Sequence, residues 1–138
     1  MKTNLIFLTL FVLAACKKEN TPKLILDEKV DQALAMEKAK GTFSNGPYGT
    51  ASGTAKIYTT ESGTQLALEN FSSSNGPDLK VYLSKEKDPV SFISLGDLKA
   101  TGGNQLYKIP DQIKTSDYKY ALIYCKRYSH LFGFAEIN

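Results

Sequence analysis

From Gly41 onward the apolar residues recur at every second position in short runs, a period that fits β-strands with one buried face and little else. Leu79, Val81 and Leu83 alternate with Lys80, Tyr82 and Ser84, and Leu66 and Leu68 alternate with Gln65, Ala67 and Glu69. Strand-like runs fall at about 50–59, 64–71, 78–84, 90–95, 104–109, 117–126 and 131–137, with a weaker one at 41–45. Between them stand Asn45-Gly46-Pro47, Ser62-Gly63, Asn75-Gly76-Pro77, Lys87-Asp88-Pro89, Gly102-Gly103 and Pro110-Asp111, residues that supply the φ angles and missing donors of turns. Thr101-Gly102-Gly103-Asn104 reads as a hairpin turn. No helical crossover interrupts the series. The expectation is an all-β, antiparallel sandwich or small barrel of about eight strands over 41–138.

The chain before Gly41 obeys different rules. Lys2 precedes an apolar run from Leu5 to Ala15 broken only by Thr9, the n-region and h-region of a secretory signal and too short to span a bilayer. The run ends Leu13-Ala14-Ala15-Cys16 and turns at once to Lys17-Lys18-Glu19, an ending similar to a bacterial lipobox. That resemblance implies removal of residues 1–15 and a diacylglyceryl group on Cys16, giving a stable membrane anchor. The alternative is an ordinary cleaved signal with Cys16 as a free thiol. Lys17 in place of an aspartate resembles the sorting pattern of outer-membrane lipoproteins. Residues 17–23 are polar, include Pro22 and read as a tether. Leu26, Val30, Ala33 and Leu34 follow at helical spacing, with Asp27 and Glu28 for a first turn, Lys38 and Lys40 for a last one and Gly41 for a C-terminal cap. This predicts one short amphipathic helix within 16–40.

Charge excludes one class of partner. The formal charge of +3 arises from 17 Lys+Arg against 14 Asp+Glu without a long basic run, too dispersed for nucleic acid.

The residues best suited to chemistry lie between Tyr118 and Phe134, which hold six aromatics, the lone histidine and, with Cys16 lipidated, the lone thiol. If 118–125 is one strand, Tyr118, Tyr120, Leu122 and Tyr124 share one face and Lys119, Ala121, Ile123 and Cys125 the other. Lys126, Arg127 and His130 follow, and cations near a thiol favour the reactive thiolate. The competing reading makes Cys125 a small buried hydrophobe and the basic residues a solvated turn. One histidine and one mature cysteine are too few for a two-His, one-Cys copper site or a structural zinc site. Cys-x-x-Cys-His is absent, while non-covalent haem needs one axial ligand, which Cys125, His130 or a tyrosine could supply. A Cys–His hydrolase would need His130 within hydrogen-bond reach of Cys125. Asp78, at the mouth of a strand, is suited to capping its own turn or to meeting a ligand.

The ordered blocks Ser52-Gly53-Thr54-Ala55-Lys56-Ile57-Tyr58, Leu66-Ala67-Leu68-Glu69-Asn70-Phe71, Asn75-Gly76-Pro77-Asp78-Leu79-Lys80-Val81-Tyr82-Leu83, Gly103 to Pro110 and Tyr120-Ala121-Leu122-Ile123-Tyr124-Cys125 resemble the DM-thirteen domain family over 41–138. The resemblance implies an electron-transfer domain, found beside haem-type modules in animal proteins and alone in bacterial lipoproteins. It implies a role for the cysteine at position 125 as a bare thiol or as the holder of a prosthetic group. The expected function is a membrane-anchored, extracytoplasmic redox domain centred on Cys125, tuned by Lys126, Arg127 and His130 and serving a redox partner protein. The alternative is a non-catalytic binding module of the cell envelope, with Cys125 in its core and exposed tyrosines such as Tyr82 as its contact surface.

Overall fold

The computed structural model describes residue 22 and residues 24–138, so the expected signal segment 1–15, Cys16 and most of the expected tether lie outside the described residues. The described chain forms nine strands: β1 (Leu26–Asp27), β2 (Met36–Asn45), β3 (Ala51–Thr60), β4 (Gly63–Ser73), β5 (Leu79–Ser84), β6 (Phe92–Asp97), β7 (Gly102–Ile109), β8 (Tyr120–Cys125) and β9 (His130–Glu136). One 3-10 turn, Thr115–Asp117, precedes β8. All eight expected runs are strands, and the five prolines stand outside them.

The strands make one curled sheet in the order β1-β7-β4-β3-β2-β9-β8-β5-β6. β2 causes the curl: Met36–Thr42 pairs with β3, whereas Phe43–Asn45 pairs with β9. A strand that changes partner midway turns the sheet on itself. The two halves then face each other across one core, and β6 and β7 approach at the open side. Inside lie Ile57, Leu66, Leu68, Tyr107 and Ile109 from one half and Val81, Leu83, Ala121, Ile123 and Phe132 from the other. Each large apolar side chain so buried contributes about 1.5–3 kcal/mol against conformational entropy.

Two smaller apolar layers cover the outer faces. Val30 packs on Tyr58 and Ala67 outside β3 and β4. Outside β5, β8 and β9, Tyr82, Leu122 and Leu131 pack together, Phe92 stacks on Tyr82 at 4.4 Å between centroids, and the Lys87 ammonium lies 4.0 Å from the Phe134 ring. Tyr82 is therefore buried, correcting its expected exposure.

The expected helix is also corrected. Residues 24–28 run extended along β7, pairing Leu26 with Gly103 and Asp27 with Asn104 in parallel, and the Glu28 amide donates to the Asn104 carbonyl at 2.8 Å. β7 offers an edge of unpaired backbone groups, and an extended segment satisfies them, whereas a short isolated helix is marginal in water. Gly41 is not a helix cap but lies inside β2, where a Cβ would stand 2.0 Å from the Glu136 carbonyl oxygen. The expected turn at Gly102-Gly103 is the start of β7. Gly103 has φ +93°, and a Cβ there would meet the Leu26 carbonyl oxygen at 1.9 Å, so glycine is what lets β1 approach.

Antiparallel alternation sorts the loops into two ends. Loops 46–50, 74–78, 98–101 and 126–129 share one end with Cys125 and with the entry of β1; loops 61–62, 85–91 and 110–119 lie at the other.

Candidate functional site

Cys125 is the last residue of β8, between Leu79 of β5 and His130 of β9 in register. Alternation sends Ala121, Ile123 and Cys125 into the core and Tyr120, Leu122 and Tyr124 into the outer layer. Tyr118 departs from the expected face: the 3-10 turn precedes it, and its ring packs on the core side. The Cys125 side chain is 0% exposed.

The turn beyond it closes by backbone. Ser129 adopts φ +54°, its amide donates to the Lys126 carbonyl at 3.4 Å, and the Lys126 amide donates to the Asp78 carbonyl at 3.0 Å. His130 then stands directly opposite Cys125, and opposed residues of an antiparallel pair project from the same face with Cβ atoms about 4.5–5.5 Å apart. Its imidazole lies parallel on the Tyr48 ring, 3.7 Å between centroids, with Tyr128 tilted against it at 6.0 Å. Tyr48 is held from the other side by its own amide, which donates to the Leu131 carbonyl at 3.3 Å. The structure thus brings His130 to Cys125 and leaves Lys126 and Arg127 exposed in the turn. Tyr48, 82 positions from His130, carried no sequence signal beyond its place after a turn-forming Asn-Gly-Pro.

Below the turn, the Lys80 ammonium bridges Asp97 and Asp78, the latter at 3.0 Å. The Asp97 carboxylate is the main cause of a raised Lys80 pKa, with Asp78 adding to it against the cost of burial. Asp78 therefore pairs with Lys80 through its carboxylate and receives Lys126 through its carbonyl, rather than capping its own turn. Burial pushes the Tyr82 phenol above its ordinary range.

Among the described residues no hydrogen bond joins His130 to Cys125. No group of three His, Cys, Asp or Glu side chains among the described residues could hold a metal ion. A haem on Cys125 does not fit: the sulfur is enclosed between β5 and β9, and the three cavities described, of about 200, 280 and 450 Å³, are walled by other residues. His130 stacks one ring face on Tyr48 and lines none of these three cavities.

The family model described as Electron transfer DM13 matches residues 42–137, which spans β2 to β9 and includes Cys125. No curated protein and no solved structure matches the chain.

Proposed function

Because this chain belongs to the DM13 electron-transfer family, we propose that it acts as a redox domain held outside the cytoplasm by a lipid on Cys16, with Cys125 as its redox group. The observation that carries this reading is the thiol's position, buried at one end of the sheet on the same side as His130. A thiol so enclosed meets no bulk oxidant and reacts when the 126–129 turn opens locally. Lys126 and Arg127 then flank it, and its proton passes to solvent as it reacts. The thiolate attacks a disulfide of a partner redox protein. A sulfur–sulfur bond to Cys125 forms, the partner's disulfide breaks, and its second sulfur leaves as a thiolate. Lys17 after the modified cysteine favours the outer membrane as the site of anchorage.

The test is maleimide labelling of the folded full chain against pH, beside its intact mass and Cys125→Ser. Labelling faster than global unfolding, lost in Cys125→Ser, is the expected outcome. A thiol that reacts only at the unfolding rate overturns the redox reading. Complete burial of Cys125 favours a second reading in that event, a binding module whose exposed tyrosines are Tyr48 and Tyr128. Cys125→Ala would then cost stability and leave cellular function unchanged.

A further inference from the structure

The two ends of the sheet differ in charge. The loops at the Cys125 end contain Lys99, Lys126 and Arg127 against Asp78, whereas those at the opposite end contain four cations and five anions. Lys99 is engaged by Glu28 at 2.9 Å and Lys80 by both Asp78 and Asp97, which leaves that cluster one negative charge, so Lys126 and Arg127 give the Cys125 end a small positive excess. Exposed apolar side chains stand at both ends, with Leu34, Met36, Val90 and Phe92 set beside the charged loops of the opposite end and four others here. Leu24 and Ile25 are 82% and 77% exposed, and Tyr48 and Tyr128 stand out of the same rim.

Hydrogen bonds link these residues into one surface. The Leu24 carbonyl accepts from the Thr101 hydroxyl at 3.4 Å, the Thr101 carbonyl from the Ser73 amide at 2.8 Å, and the Thr50 carbonyl from the Ser74 amide at 3.0 Å, two residues from Tyr48. The chain also enters here. Cys16 precedes Leu24 by eight residues, a reach of at most about 28 Å, whereas a ten-residue strand such as β3 is about 33 Å long. An anchor at Cys16 therefore holds the Cys125 end nearer the bilayer than the other end.

We infer that the Cys125 end lies against the lipid surface, with Leu24, Ile25, Tyr48 and Tyr128 at the interface and Lys126 and Arg127 on anionic headgroups. Tyrosine rings and aliphatic side chains partition to that zone, and Lys and Arg are drawn to its negative potential. The nine charged residues of the opposite loops stay in water. The inference rests on lipidation of Cys16, as proposed above. It places the buried thiol beside the membrane, so that a partner must reach it at the lipid boundary.

The chain contains no tryptophan, so one introduced indole reports its own depth. Natively lipidated full chain carrying Leu24→Trp, Tyr128→Trp or Val90→Trp is bound to vesicles of phosphatidylcholine and phosphatidylglycerol with shallow-brominated acyl chains. All three positions are exposed, so folding is not at stake. Flotation should carry all three variants with the vesicles, and quenching at 24 and 128 should exceed that at 90 by about threefold. Replacing Lys126 and Arg127 by Glu should narrow that ratio. Flotation with equal quenching, or with stronger quenching at 90, overturns the orientation and leaves the anchor standing. Protein that stays in the aqueous fraction with Cys16 unmodified by mass overturns the anchor and this inference together.

Discussion

At the Cys125 end, four loops of four or five residues are stitched to one another by main-chain hydrogen bonds, Tyr48 to Leu131, Ser74 to Thr50, Ser73 to Thr101 and Lys126 to Asp78. At the opposite end the loops 85–91 and 110–119 are longer and charged, and the second leaves a cavity of about 450 Å³ walled by Lys38, Thr59, Thr115, Tyr118 and Lys119. One end is closed by backbone pairing and stacked rings and stays dry around a thiol. The other is left to water. The difference teaches that burial of Cys125 depends on loop geometry at its own end and not on the size of the core, which both ends share.

The largest effect that would break this comparison is at Gly103. Gly103→Ala forces a side chain into φ +93° and against the Leu26 carbonyl, and should cost about 3 kcal/mol in denaturant unfolding. Gly63→Ala, at the opposite end with φ +124° and nothing nearer than an Asp111 carboxylate oxygen at 3.3 Å, should cost about 1–2 kcal/mol. Equal losses would mean that β1 does not close the Cys125 end as described.

A smaller effect sharpens the contrast between dry and wet. Cys125→Ser places a hydroxyl in an apolar enclosure and should cost about 2 kcal/mol, whereas Ser116→Ala on the cavity wall should stay within about 0.5 kcal/mol. Urea midpoints of the two variants that moved together would show the thiol's surroundings to be hydrated.

The smallest effect reads the polar network beneath the 98–101 loop. The buried Tyr107 hydroxyl donates to Gln105 Oε1 at 2.6 Å and accepts from the Lys99 amide at 2.9 Å, while Gln105 bonds both backbone groups of Ala100. Burial raises the Tyr107 pKa above its ordinary 10.0. The folded state therefore keeps a proton that the unfolded state releases, so this contribution is full below pH 10 and is lost as pH rises through the folded value. Unfolding free energy of the native chain should fall between about pH 10 and 11 by about 1 kcal/mol more than that of Tyr107→Phe. Parallel profiles would place the phenol in water.

Much of the sheet was legible because alternation and turn chemistry are local. A run such as Leu79 to Ser84 shows its buried face without knowing its neighbours, and the same rule turned Ala121, Ile123 and Cys125 inward. The segment 24–40 misled because Leu26, Val30 and Leu34 have helical spacing, yet Leu26 completes a sheet edge, Val30 covers Tyr58 and Leu34 remains exposed. Tyr82 had the pattern of an outward residue, and only Phe92 and Tyr124 beside it, with Leu122 beneath, make that outer face apolar.

Period and turn residues settle, without coordinates, that the chain from Gly41 onward is a β-domain, because each is a property of consecutive residues. The curl of the sheet, the meeting of Tyr48 with His130, the enclosure of Cys125 and the gathering of loops with little charge at one end were decided by tertiary structure. These depend on which distant strands pair and in what register, and pairing energy between strands is spread over contacts that no local stretch of sequence contains.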